Sequence, residues 1–181
     1  MIISKKLIPG LKIINSKVFK DKRGLFYELS NNKVLRKFGI KKPLVQDNLS
    51  FSKYGVLRGL HLQTSPYAQG KLVSVIKGKI LDVAIDLKKK SKFFGKYSSV
   101  ILSDKNKLKF WIPRGFAHGF LVLSDYAIVI YKTDNFYNQK SELCIKWDDK
   151  YLNIKWPKLK KKFIISKKDE LGINFKSEIL K

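Results

Sequence analysis

The chain has few of the residues that usually carry metal or redox chemistry. Its 181 residues include one cysteine, Cys144, and two histidines, His61 and His118. A single cysteine excludes an internal disulfide and any multi-cysteine metal site. Arginine is almost as scarce. Of 39 cationic residues, 35 are lysine and only Arg23, Arg36, Arg58 and Arg114 are arginine. The net charge of +25 would ordinarily suggest a nucleic-acid partner. Base-edge reading, however, favours the planar arginine fork, and these lysines are scattered rather than clustered. Specific nucleic-acid binding is therefore not expected, although a diffuse positive field speeds the approach of anionic small molecules. No apolar run nears the roughly 20 residues that cross a bilayer. The opening MIISKKLIPGLKII has no long apolar segment and no small-residue cleavage site, so no signal peptide and no membrane are expected, and the location expected is cytoplasmic. Neither a nicotinamide fingerprint nor a P-loop occurs.

What is present suits a packed core. Apolar residues make up 44% of the chain and aromatic residues 13%, which excludes a disordered tail protein. With no repeat and no linker-like stretch, residues 1–181 read as one domain. Leu81, Val83, Ile85 and Leu87 alternate with Asp82 and Asp86, the period of a strand. Leu72–Ile76 and Ile80–Leu87, joined through Gly78, read as a hairpin. Val100–Leu102, Lys109–Ile112 and Ala127–Tyr131 are further β-rich runs separated by turn residues. Ser30 is placed to cap a short helix over Asn31–Phe38, with Val34, Leu35 and Phe38 on one face. The fold class expected is all-β, a sandwich or barrel with a few short helices.

Both histidines lie in glycine-rich β context, within Leu57-Arg58-Gly59-Leu60-His61-Leu62-Gln63 and Pro113-Arg114-Gly115-Phe116-Ala117-His118-Gly119. On a regular strand Arg58 and His61 would face opposite ways unless Gly59 bulges the chain. The Pro-x-Gly-x-x-His spacing resembles a motif of the cupin superfamily, a double-stranded β-helix (jelly-roll) barrel. Cupin metal sites usually draw His-x-His on the first motif, where this chain has His61-Leu62-Gln63. Two imidazoles are a thin ligand set, so no catalytic metal and no cofactor are expected.

A narrower resemblance spans nearly the whole chain. Phe19-x-Asp21-x-Arg23-Gly24-x-Phe26-x-Glu28, Gln46-Asp47-Asn48-x-Ser50, the Gly55–Gln63 stretch and Gln69-Gly70-Lys71 occur in order. They are followed by Asp82–Leu87, Trp111–Phe120, Tyr131-Lys132-x-Asp134 and Ser166-Lys167-Lys168-Asp169. This series resembles the dTDP-4-dehydrorhamnose 3,5-epimerase family. The resemblance implies cofactor-free proton abstraction next to the C4 ketone of a nucleotide-diphospho-4-keto sugar. It implies His61 as base, Asp169 as its orienting carboxylate, Lys71 beside the C4 oxygen and Tyr131 as proton donor on the opposite face. A neutral imidazole near its own pKa suits the first role, and a phenol suits the last if nearby cations lower its pKa. Substrate contacts are implied for Arg23, Glu28, Gln46, Asp47, Asn48, Arg58, His118, Glu142 and Lys168, with Asp82 as a partner for His118. Phe136 and Tyr137 are placed to stack on a base or to pack. Leu62, Ser74, Lys88, Gln139 and Lys150 depart from common family residues. Relatives with the same machinery process GDP-linked 4-keto heptoses or invert one carbon only. A homodimer is implied, often with an N-terminal strand completing the partner's sheet and pocket.

Overall fold

The computed structural model describes residues 7–175; residues 1–6, where the leader reading begins, lie outside them. Among the described residues, twelve strands and two short α-helices follow in order. They are β1 (Lys12–Asn15), β2 (Phe19–Asp21), β3 (Gly24–Phe26), α1 (Asn32–Lys37), β4 (Gln46–Lys53), β5 (Leu57–Gln63) and β6 (Lys71–Lys77). The second half contains β7 (Lys79–Asp86), β8 (Tyr97–Ser103), β9 (Leu108–Ile112), β10 (Phe116–Val122), β11 (Tyr126–Thr133), β12 (Glu142–Cys144) and α2 (Lys167–Glu170). Two five-stranded antiparallel sheets result, ordered β1-β9-β6-β11-β4 and β12-β5-β10-β7-β8, with β2–β3 a separate hairpin. This is the all-β jelly-roll expected.

Leu72–Leu87 departs from its reading as a hairpin. β6 pairs with β9 and β11, whereas β7 pairs with β10 and β8. The turn at Gly78 is therefore a corner between sheets. Its backbone sits at φ +86°, and a side chain there would run into the Tyr126 carbonyl at 2.1 Å, so glycine is required. The alternation along β7 also has an unusual polarity. Leu81, Val83 and Ile85 pack outward against Ile145, Leu152 and Phe175 of the C-terminal segment. The intervening row, with Asp82, faces the space between the sheets beside Ile80 and Ala84. Both faces of the strand are consequently buried.

Between the sheets, Val73, Val75, Phe110, Ile112 and Val129 meet Val100, Leu102, Phe116, Phe120 and Val122. The inward rows of β6 and β11 run from this apolar plug to Lys71 and Tyr131, which places a polar chamber at one end of the sandwich. α1 covers the outer face of the first sheet with Leu35 against Ile14, Leu72 and Trp111. Its cap is Asn31 rather than Ser30: the Asn31 side chain accepts from the Lys33 and Val34 amides. Only Leu35 of the predicted helical face is buried; Val34 and Phe38 are exposed, because the sheet meets only one edge of so short a helix. β1, the first strand among the described residues, pairs with β9. Beyond Trp156 the chain is extended and irregular except for α2. Among the described residues no helix is long and apolar enough to cross a membrane.

Candidate active site

His61 lies on β5, directly opposite His118 on β10, yet Phe120 stands opposite Arg58. Three steps along β5 thus match two along β10, a bulge that turns Arg58 and His61 to one face. Two glycines make room for it. A side-chain carbon on Gly59 would lie 2.6 Å from the Gly119 Cα, and one on Gly119 would lie 2.7 Å from the Arg58 carbonyl. Gly59, at φ +120°, also donates its amide to Asp169 Oδ2 at 3.1 Å.

Asp169 reaches the barrel on a strap, residues 164–173, that is anchored at both ends. Ile164 exchanges backbone hydrogen bonds with Gly55 and Leu57, and Ile173 does the same with Cys144 and Lys146. Ser166 caps α2 by accepting the Asp169 amide. The buried Asp169 Oδ1 then meets His61 Nε2 at 2.7 Å, with the ring about one quarter exposed. Burial alone would raise the Asp169 pKa. Its hydrogen bond with His61, the imidazole charge, the Gly59 amide and Lys168 outweigh that and hold it below the usual carboxylate value. The carboxylate therefore stays an acceptor, and a neutral His61 keeps its proton on Nε2 and its lone pair on Nδ1.

The opposing sheet contributes the other chemistry. Lys71 is buried at the start of β6, and its ammonium is 6.0 Å from the Tyr131 ring centre. Burial pulls its pKa down to about 8, an effect only partly offset by Glu142 and Asp82. The Gln69-Gly70-Lys71 corner is fixed because Asp134 accepts the Gly70 amide at 2.7 Å and pairs with Arg114. Arg114 is thus structural. Tyr131 departs from the expected lowering of its pKa: burial raises it, and the opposing charges of Arg58 and Lys168 do not compensate. The phenol therefore holds its proton firmly at neutral pH.

These groups line one cavity of about 840 Å³, together with Gln46, Asp47, Asn48, Arg58, His118, Glu142 and Lys168. Its size lies in the range of small-molecule sites. Arg58 Nε donates to Ser52 on β4 at 3.0 Å. Lys168 Nζ bridges both Glu142 oxygens at 2.8 Å, and Tyr137 donates its hydroxyl to Glu142 Oε2 at 3.0 Å. Lys168, Tyr137 and His61 overcome burial and keep the Glu142 pKa low. The Asp47 side chain is held by Lys132. His118 Nε2 sits 2.8 Å from Asp82 Oδ1 with both side chains buried. The contact is short but poorly aligned. Burial raises the Asp82 pKa against the pull of His118 and Lys71.

Arg23 and Glu28 do not join this cavity. Arg23 sits in the exposed β2–β3 hairpin, paired with Asp21. The Glu28 side chain accepts from Asn31 at the start of α1, and its carbonyl accepts from Lys109 Nζ at 2.6 Å. Conversely, two residues absent from the sequence reading of the site, Gln63 and Cys144, shape it. Gln63 accepts the Asn138 amide and Gln46 accepts the Tyr137 amide, so two cavity glutamines pin the aromatic loop. Phe136, beside Tyr137, is exposed. Cys144 is opposite His61 on β12, its Sγ 3.7 Å from Asp169 Oδ1. Burial and then Asp169 push its thiol up to about 12. His61, Cys144 and Asp169 are the one group among the described residues whose donor atoms, all within 4.8 Å of one another, are spaced to hold a metal ion.

A jelly-roll barrel with a carboxylate-oriented imidazole on one sheet and a buried lysine and tyrosine on the other defines an acid–base enzyme of the cupin type. The sequence profile described as dTDP-4-dehydrorhamnose 3,5-epimerase matches residues 5–177. A protein of that name from Shigella flexneri is 53% identical over 158 residues, covering 87% of this chain and 87% of the relative. A solved dTDP-6-deoxy-D-glucose-3,5-epimerase from Legionella pneumophila, in complex with dTDP-4-keto-L-rhamnose, superposes with a TM-score of 0.92 at 46% identity. That match covers 98% of this chain and 94% of the other. A 3'-monoepimerase from Streptomyces bikiniensis, in complex with dTDP-quinovose, gives a TM-score of 0.87 at 26% identity, covering 93% and 85%. The chain belongs to the dTDP-4-dehydrorhamnose 3,5-epimerase family.

Proposed function

We propose that the protein epimerises C3 and C5 of a dTDP-linked 4-keto-6-deoxy sugar. The observation carrying this reading is the division of labour across the cavity: His61 on one sheet with Asp169 brought to it by the strap, and Lys71 and Tyr131 on the facing sheet. His61 removes the proton α to the ketone. The Lys71 ammonium offsets the charge that develops on the C4 oxygen. Tyr131, holding its proton in the buried site, returns it from the opposite face, and a second enolisation treats the other carbon. Arg58, Gln46, Asn48, Glu142, Lys168 and His118 hold the sugar and diphosphate, arginine being suited to bidentate phosphate contacts.

A homodimer completes this reading. Leu49 and Phe51 on β4, and Phe19, Leu25 and Phe26 on the hairpin, are large apolar side chains left exposed. A second copy would cover them and bring Arg23 and Glu28 to a cavity. Sedimentation as a monomer at working concentration overturns the dimer.

Turnover of dTDP-4-keto-6-deoxyglucose in D2O tests the activity, with the GDP-linked 4-keto heptose run in parallel. Deuterium at both C3 and C5, lost in His61→Ala, is the expected result. Uptake at one carbon only would assign the narrower activity named for the Streptomyces relative. Exchange with neither donor overturns the reading.

A further inference from the structure

We propose that His61, Cys144 and Asp169 form a binding site for a thiophilic divalent cation such as Zn2+, and that the cation silences the base by reversing its tautomer. The strand register sets the thiol and the imidazole side by side, Cys144 opposite His61, and α2 brings the carboxylate in as a third donor. His61 Nε2 lies 2.7 Å from Asp169 Oδ1, and Cys144 Sγ lies 3.7 Å from the same oxygen. Tetrahedral zinc bonds of ordinary length need about 3.4 Å between nitrogen and oxygen ligands and about 3.6 Å between sulfur and oxygen. The thiol is already at that spacing, and the imidazole reaches it by a shift of well under an ångström. One sulfur, one nitrogen and one oxygen suit zinc, whereas magnesium and calcium require oxygen. The cavity in front of the ring gives the ion its entry and water for the fourth position.

The consequence for catalysis follows from which nitrogen is used. In the empty dyad Nε2 carries the proton toward Asp169 and Nδ1 keeps the lone pair. A cation on Nε2 takes the place of that proton, the thiol releases its own proton to solvent, and the ring proton must move to Nδ1. The imidazole then has no free lone pair with which to accept a substrate proton. This inhibition rests on the proposed role of His61 as base; the binding does not.

Cobalt(II) is the probe of choice, because thiolate ligation produces a near-ultraviolet charge-transfer band and four-coordination intensifies the visible bands. The wild-type protein should show the band with one equivalent of cobalt and lose it on adding zinc. Zinc should also block deuterium exchange, a chelator should restore it, and magnesium at the same concentration should leave it untouched. Cys144 contributes no group to the proton transfers, so Cys144→Ala should keep turnover. It should lose the charge-transfer band and need at least about tenfold more zinc for half inhibition, as expected on removing a thiolate ligand. Absence of the band from the wild type overturns the site, as does equal zinc sensitivity of wild type and Cys144→Ala. A band from a protein that exchanges no substrate protons would support the site and overturn the proposed activity instead.

Discussion

The molecule has two imidazole–carboxylate pairs facing one another across a single β ladder, and they are built differently. Asp169 approaches His61 from a strap laid over the barrel, receives the Gly59 amide, and leaves the ring partly open to the cavity. Asp82 approaches His118 from the adjacent strand, β7, and both side chains are buried. Surroundings set the electrostatics. Donors hold Asp169 ionised, while burial pushes Asp82 toward its neutral form. A group that must accept and release protons each cycle needs the first kind of environment. The second kind fixes a ring in place.

Substitutions sharpen this contrast. Removing the base should have the largest effect: His61→Ala should slow deuterium uptake by about 10³-fold, within the usual range for a general base. Asp169→Asn preserves shape but loses the charge that selects the tautomer, and should cost about 10–100-fold in kcat, read by the same exchange assay. Asp82→Asn should act mainly on KM, with a kcat loss below about tenfold, if its partner has the proposed role of binding rather than reacting. Equal kcat losses for the two carboxylates would break the comparison, and wild-type kinetics for Asp82→Asn would remove His118–Asp82 as a working pair. A smaller effect is expected from pH. Lys71 is positive below about 8 and neutral above it, so the charge opposing the enolate fades as pH rises through that value. The rate should fall on the alkaline side near pH 8, and Lys71→Arg, which stays charged, should move that fall upward. Gly172→Ala addresses the strap itself. Its added carbon would sit 2.8 Å from the Ile145 and Lys146 backbone, and denaturant melts should show a loss of about 1–3 kcal/mol.

The sequence makes the barrel and its acid–base set legible unevenly. Strand positions such as Lys109–Ile112 and Ala127–Tyr131 follow from β-rich residues bounded by turn residues, because such side chains pack on at least one face. The assignment of strands to sheets does not follow. Leu72–Leu87 has the local chemistry of a hairpin, and only the pairing of β6 with β9 and β11, and of β7 with β8 and β10, reveals a corner. The inward turn of Asp82 is hidden for a related reason: alternation marks two faces but not which one the C-terminal segment will cover. Arg58 and His61 share a wall through the Gly59 bulge, an option visible in the residues but decided by the facing Gly119. Asp169, one acidic residue in a lysine-rich tail, became meaningful only through its spaced motif, since its partner is 108 positions away.

That separation fixes an order of events during synthesis. Every strand of both sheets, from β1 to β12, leaves the ribosome before the strap that carries Asp169. Arg58, Lys71, Tyr131 and His118 are all made while His61 still lacks the carboxylate that sets its proton. The imidazole proposed as the base is therefore armed last. A protease cut between β12 and α2 would disconnect that carboxylate from the chain while removing none of the groups on the cavity's inner walls.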